Sequence, residues 1–457
     1  TIIYSFAFFR TGWVSNTAVN VSGGNAVTRF SGNYSYTSDQ GFLPGNGVTK
    51  NNFGFGGLTK LTNNFTLSGT INFATTEYIT PTTSTSFGSS ANNPSVYGDL
   101  IYTPRSIDLM GWPYKNPIDG SSVYYRANNG IQNPRWTVEN TLIREKILRT
   151  FGNIQMKYDI IKGLSVLYRL GIDVYNTLNE LTANKGGTTG GLQYTTGMYR
   201  TINSSNSILD HNILINYVKD INDDWNLALD GGVNLRNDNY TQNGMKSTQQ
   251  LVFGLFNHGN FVNHEAVGED GGNLNFNSQQ KRFGAFLSAS GGFRNYLYLN
   301  LGGRESWVST LEENNRKIFY PSASISVIPT AAINGLKNNK WVNFLKLRVG
   351  YSTSARFPDP YTTRAALNIQ TNAFVDKNGN VINQNAIPNR LANPDLKPEL
   401  LKEYEAGLEG TFINHRLTVD LTFYKRISSD QILDRSLDPS TGYTLTSAAD
   451  RQGYYRS

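Results

Sequence analysis

Between residues 417 and 423 the chain changes polarity at every step. Leu417, Val419, Leu421 and Phe423 alternate with Thr418, Asp420 and Thr422. In an extended backbone a period of two places each set on its own face. The run follows a tight turn at Asn414-His415-Arg416, inside a stretch, Asn393–Ile432, that reads as descending strand, turn, ascending strand. One face is continuously apolar and the other carries a carboxylate. A soluble sandwich buries such an apolar face in a core. A membrane barrel turns it to lipid and faces the polar side to a wet lumen.

The same alternation recurs. Leu164, Val166, Tyr168, Leu170, Ile172 and Val174 alternate with Ser165, Arg169, Gly171, Asp173 and Tyr175, with Leu167 the one apolar intruder. Trp225, Leu227, Leu229, Val233 and Leu235 alternate with Asn226, Asp230, Gly232, Asn234 and Arg236. Leu345, Leu347, Val349 and Tyr351 alternate with Lys346, Arg348 and Gly350. Such runs exceed the ~5–6 residues of an average globular strand and reach the ~9–11 that a tilted strand needs to cross hydrocarbon. Full charges on the polar face fit a wet lumen better than a soluble core. The expected fold is all-β, a transmembrane antiparallel barrel.

Composition agrees. Only 38% of the 457 residues are hydrophobic, and no apolar run approaches the ~18 residues of a membrane helix. A barrel hides its hydrophobicity in alternation. Aromatics reach 12%, with 26 Tyr and 24 Phe, as expected where strands cross a membrane–water interface. With no Cys in the chain, a disulfide scaffold and a thiolate metal site are excluded. The net charge of +7 is spread over strand faces with no basic block, so no nucleic-acid partner is expected.

Tight turns fall near Gly24-Asn25, Thr62-Asn63-Asn64, Ile161-Lys162-Gly163, Asn222-Asp223-Asp224, Arg294-Asn295 and Asn414-His415. Between them lie long polar stretches, Asp39–Lys50, Thr80–Lys146, Leu181–Ser204, Thr241–Gln279 and Pro358–Asn393. Short periplasmic turns alternating with long extracellular loops are the rule of outer-membrane barrels. Glu312–Arg316 is brief for an outside loop, and Ala331–Asn343 is long for an inside turn and has room for a short helix. The parsing gives roughly fourteen strands. The first, near Asn16–Gly23, descends, so an ascending strand is expected before Thr1. Arg451–Ser457 does not read as a terminal barrel strand.

Several segments, in order, resemble the SusC/RagA-type TonB-dependent transporters of the Bacteroidetes outer membrane. They are Phe9-Arg10-Thr11-Gly12 with Val19-Asn20-Val21-Ser22-Gly23-Gly24; Asp39-Gln40-Gly41; Asn133-Pro134-Arg135-Trp136-Thr137-Val138-Glu139-Asn140; Asp159–Asp173; and Phe319-Tyr320-Pro321-Ser322-Ala323-Ser324. The most specific is Asn393-Pro394-Asp395-Leu396-Lys397-Pro398-Glu399, followed by Tyr404-Glu405-Ala406-Gly407-Leu408-Glu409. The resemblance implies a barrel of about 22 strands with an N-terminal plug. It implies a SusD-like surface lipoprotein as lid, the TonB–ExbB–ExbD complex as energy source, and pairing of two such lidded barrels. It implies import of oligosaccharides or oligopeptides, with no cofactor and no enzymatic activity. Residues 1–457 then correspond to a partial barrel, with plug and closing strands outside this sequence. The alternative reading is a passive porin or a structural barrel in a larger outer-membrane assembly. A soluble adhesin or glycan hydrolase fits less well, since no catalytic constellation stands out.

For ligand or lid contact the richest stretch is Trp112–Trp136, which holds Trp112, Tyr114, Tyr124, Tyr125, Arg126 and Trp136. Aromatic faces suit sugar rings and peptide side chains, and an Arg suits a carboxylate. The competing reading is that these aromatics fold the loop onto the rim. His258, His264 and Glu265 share a segment without zinc-motif spacing and read as a solvated loop. Asp376-Lys377-Asn378-Gly379-Asn380 lacks the Gly and Glu of a calcium loop and reads as an Asn-Gly turn. Asp223 and Asp224 read as a turn cap.

Overall fold

The computed structural model describes residues 7–83, 94–123, 131–188, 192–268, 275–337, 339–365 and 368–450. The strands, in chain order, begin with β1 (Trp13–Gly24), β2 (Thr28–Gln40), β3 (Gly47–Lys60), β4 (Phe65–Pro81), β5 (Thr141–Ile161), β6 (Leu164–Ala183) and β7 (Met198–Asp220). They continue with β8 (Trp225–Gln250), β9 (Phe261–Ala266), β10 (Asn275–Phe293), β11 (Leu297–Val308), β12 (Lys317–Val327) and β13 (Val342–Arg356). Next come β14 (Asn368–Val375), β15 (Val381–Ala386), β16 (Arg390–Leu391), β17 (Glu399–Phe412), β18 (Leu417–Ser429), β19 (Gln431–Ser436) and β20 (Leu445–Asp450). Fourteen of them form one antiparallel path, β1 through β8, then β10 to β13, β17 and β18, with β9 attached to β8. Each path strand pairs with the path strand before it, so the expected strand number and up-and-down order are observed.

Register follows from the period-2 pattern. On β10 and its neighbours, Leu287 lies across from Gly231 and Gly303, while Ser288 lies across from Asp230 and Gly302. The apolar face is the exposed one: Leu287 is 64% and Phe423 73% accessible. The sheet therefore buries no large core between two layers. Buried apolar clusters lie instead at the loop end. They are Phe8, Leu43, Val96 and Leu109; Leu181, Ala183, Tyr194 and Met198; and Val308, Leu311 and Leu396.

The short turns fall where the sequence places them. Asn222, rather than the two aspartates, caps its turn: its Oδ1 accepts from the backbone N–H of Asp224 and Trp225, both at 2.9 Å. Asp224 instead reaches the next turn and takes both arms of Arg294, at 2.7 and 2.9 Å. The Ala331–Asn343 connection does hold helical turns, at Pro329–Ala332 and Asn334–Leu336. At the last short turn Ile413, Asn414 and His415 all have positive φ, 56°, 52° and 63°, a strained choice for a β-branched residue. The neighbouring turn holds it. The N–H groups of Ile413 and Asn414 donate to the carbonyls of Trp341 and Lys340, each at 3.0 Å.

The long connections are shorter than their polarity suggests, because the strands continue beyond the apolar band. β2 and β3 leave only 41–46 between them, and β8 runs to Gln250 rather than ending near Thr241. β5, β7 and β8 are 21, 23 and 26 residues long, twice or more what the hydrocarbon requires. On β8 the apolar alternation stops at Leu235, yet the ladder to β7 continues to Thr248. Above the band both faces are wet, so hydropathy no longer alternates although the hydrogen bonds do.

Candidate functional site

The polar face of the sheet forms one candidate site. Several of its charges are paired or hydrogen-bonded in place. Arg149 donates to both oxygens of Asp173, at 2.8 and 2.6 Å. Arg348 reaches Glu405 at 3.1 Å and Asp420 at 3.4 Å across two neighbouring strands. Asp210 gathers the side-chain amides of Asn212 and Asn234. Between these posts run small residues, Ser288, Ser322 and Ser324 with Gly302 and Gly350, which line an open groove. Such a surface presents hydroxyls and fixed charge pairs to passing solutes without a deep binding pocket.

Above the strands, three connections pack into a platform. The segment Asn133–Asn140 is a short helix, Pro134–Asn140, capped by Asn133, whose Oδ1 accepts from the Arg135 N–H at 3.0 Å, with Pro134 in the first turn. Cap and proline are a helix start signal. The helix buries Trp136, 1% accessible, whose indole N–H donates to the Gly120 carbonyl at 2.9 Å. Gly187 packs on that ring, where an added Cβ would approach the ring atoms to 3.1 Å. Tyr114 donates to Glu139 at 2.7 Å and carries the Arg135 guanidinium over its ring at 4.2 Å. Lys115 completes the set with a 2.6 Å bond to Glu139. These hydrogen bonds, with Lys115 first, hold the Glu139 carboxyl below its ordinary range.

The sequence-singled residues therefore separate. Trp136 is folded inward, Tyr114 is engaged with Glu139 and Arg135, and Trp112 stands 43% accessible. Tyr124, Tyr125 and Arg126 lie outside the described residues. Reading Asn133-Pro134 as a cap and first turn would have signalled the helix.

Sequence reasoning missed the buried carboxylate under the platform. Asp99, on the helix Val96–Tyr102, accepts from the Gln132 N–H at 3.3 Å and meets the Thr137 hydroxyl at 3.0 Å. Burial pushes its pKa from 3.8 up to about 7, against the lowering effect of those bonds. The folded value lies above the unfolded one. Its favourable contribution is thus complete below pH 3.8 and is lost as pH rises to about 7. Loop proteolysis on the purified protein should be slower at pH 5 than at pH 8. Asp99→Asn should remove that difference, which is worth on the order of a few kcal/mol; an unchanged pH dependence would show that Asp99 is not its source.

The histidine segment is solvated but not a loop: His264 and Glu265 are exposed on β9, and His258 lies in a helical turn before it. Ser247 sits between His258 Nδ1 at 2.7 Å and His264 Nδ1 at 2.8 Å, and His258 Nε2 meets the Thr201 hydroxyl at 2.9 Å. His258 packs on the Tyr199 ring, centroids 4.5 Å apart. Burial, then His264, pulls its pKa down. Among the described residues, no three His, Cys, Asp or Glu side chains gather as a metal site. Asp376 does form a turn, its Oδ1 accepting from the N–H of Asn378 and Asn380 at 2.8 Å.

The Asn393–Glu399 motif ties a second set of loops. Leu396 is 0% accessible and packs with Val308, Leu311, Phe357 and Ile432. Asn393 donates to the Ser447 carbonyl at 2.9 Å, and Glu399 accepts from the Ile432 N–H at 2.7 Å. Pro398 is buried behind Leu396, while Pro394, Asp395 and Lys397 face solvent. Nearby, Arg364 grips Glu312 with two 2.8 Å bonds. With that pairing, the Glu312 carboxyl lies at about 2.

A continuous up-and-down sheet, exposed apolar bands and a charged polar face also appear in known proteins. The family model described as TonB dependent receptor-like, beta-barrel matches residues 103–455. The chain belongs to that family. Barrels of this TonB-dependent receptor family lie in the outer membrane, so the exposed apolar face of the sheet is its lipid face and the charged face its lumen. TonB-dependent receptor P26 of Formosa agariphila is 29% identical over 156 residues, 33% of this chain and 15% of that protein. The structure of the RagAB peptide transporter matches with a TM-score of 0.75 at 17% identity, over 95% of this chain and 46% of that one. The ferric-catecholate import receptor Fiu from E. coli K12 matches at 0.55 and 12% identity, over 96% and 59%. This receptor chain thus spans about half the length of the solved structures it matches.

Proposed function

We propose that this chain is the barrel portion of an active importer. A plug and further strands outside residues 1–457 complete it, a SusD-like lipoprotein lids it, and TonB energises it. The cargo class is an oligosaccharide or an oligopeptide. The observation that supports this best is the lumen itself, whose charge pairs and serines offer many weak contacts to a hydrophilic chain. The platform at the loop end, with Trp112 exposed on it, supplies aromatic surface to cargo or lid. The fold shared with the RagAB peptide transporter supports a peptide as one cargo.

The test compares uptake of labelled oligopeptides and oligosaccharides by cells carrying the full-length receptor, with and without functional TonB. Active import predicts uptake of one class that falls to background without TonB. Uptake that persists without TonB would instead identify a passive porin.

A further inference from the structure

On the lipid face of β3 to β8, the apolar band ends at Phe53, Phe73, Leu148, Val174, Leu209 and Leu235. Above it the same face turns polar, and the ladder carries two rungs across six strands. One rung runs Asn51, Thr75, Leu148, Asn176, Ser205, Thr241. The next runs Thr49, Glu77, Lys146, Leu178, Asn203, Asn243. The registers show no slip there, so every residue named points away from the lumen.

These rungs line a groove of about 530 Å³, within the ~300–1,000 Å³ of ordinary small-ligand sites. Most of its lining is amide and hydroxyl, with Leu148 and Leu178 between them and Glu77 and Lys146 as its charged residues. Among the described residues, the side chains of Asn176, Ser205 and Thr241 have no hydrogen-bond partner in the protein, and Asn176 and Thr241 are exposed. With their partners its charges cancel two against two: Glu77 lies 3.2 Å from Arg144 and 3.9 Å from Lys146, and Glu180 lies 3.9 Å from Arg144. A neutral groove of free donors and acceptors suits a polyhydroxy ligand better than a phosphate. Its floor continues directly into the lipid-facing band, so an amphiphile can lay acyl chains on Leu148, Val174 and Leu209 while its headgroup enters the groove.

We propose that this collar binds the saccharide headgroup of an outer-leaflet glycolipid, juxtaposing free Asn176, Ser205 and Thr241 with the top of the lipid band. The proposal rests on the outer-membrane barrel reading. The glycolipid would be a fixed neighbour of the barrel rather than cargo.

The experiment uses the full-length receptor purified in detergent and native mass spectrometry. The probes are lipopolysaccharide with its core sugars, the same lipid A without them, and phosphatidylglycerol. The sugar-bearing lipid should bind at least tenfold tighter than either other probe. Ser205→Trp, which fills the groove, and the double variant Asn176→Leu with Thr241→Val, which keeps volume but removes polar groups, should each erase that preference. Equal binding of lipid A, or variants that bind like the wild type, would overturn the proposal. So would a doubled receptor mass that the variants halve, since a second copy would then fill the groove. Heat-modifiable gel migration and outer-membrane fractionation are read on the same samples. If both hold while the sugar preference is absent, only this proposal falls; if they fail, the barrel reading falls with it.

Discussion

Leu287→Arg should prevent stable accumulation of the receptor in the outer membrane, while Ser288→Arg, one residue on, should be tolerated. Leu287 stands 64% accessible midway along the lipid-facing band of β10. An Arg near the middle of that band costs about 2–4 kcal/mol. Ser288 points to the lumen and lies across from Asp230, which already accepts from Asn216 at 2.6 Å. An Arg there gains a carboxylate and water. The readout is heat-modifiable migration of receptor in outer-membrane fractions. Equal loss from both variants would mean that the two faces are wrongly assigned. Equal tolerance would mean that this segment does not meet lipid.

Trp136→Ala should open the loop platform without unfolding the strands. A buried Trp-to-Ala change costs about 3–5 kcal/mol, and it would leave the Gly120 carbonyl without its donor. Trp136→Phe keeps most of the packing and loses only the N–H, worth about 1 kcal/mol. Hydrogen exchange should show residues 95–123, 131–140, 184–188 and 192–197 losing protection in the Ala variant, with the strand ladders unchanged. If the ladders lose protection equally, the platform and the sheet form one cooperative unit. If neither changes, Trp136 does not organise the loops.

Much of this architecture is legible in the sequence because lipid imposes a strict pattern. Leu164 to Val174 must alternate, since a one-residue slip would put Arg169 or Asp173 in hydrocarbon. The tight turns carry Asn, Asp and Gly for the same geometric reasons as in any hairpin. The strand extensions were hidden because water, unlike lipid, accepts either kind of residue on either face. Thr241, Asn243 and Met245 on β8 show no period, yet all remain in the ladder. The platform was hidden for another reason. Its organising groups, Asp99, Gln132 and Thr137, are polar residues whose burial depends on contacts between distant loops. Nothing in their local sequence distinguishes them from solvated loop residues. Trp136 was singled out for its chemistry, while its burial depends on Gly187 and Gly120, far along the chain.

The strand order also bears on how the barrel assembles. Most path strands pair with a partner only a tight turn or a short loop away, so the ladder can grow hairpin by hairpin with low contact order. Three joints break that economy of distance: β4 must find β5 across 82–140, β8 must find β10 across 251–274, and β13 must find β17 across 357–398. Closing such loops adds only a modest entropy, rising with the logarithm of length. Buried side chains sit at the first and last of these joints, Trp136 in 82–140 and Leu396 in 357–398. The Thr82 and Thr141 hydroxyls meet at 2.7 Å at the base of the first, and Leu396 packs on Phe357 at the base of the last, so each pair of strand ends is clasped together. Early formation of these clasps would keep zippering from stalling at two of the places where the next strand is far away.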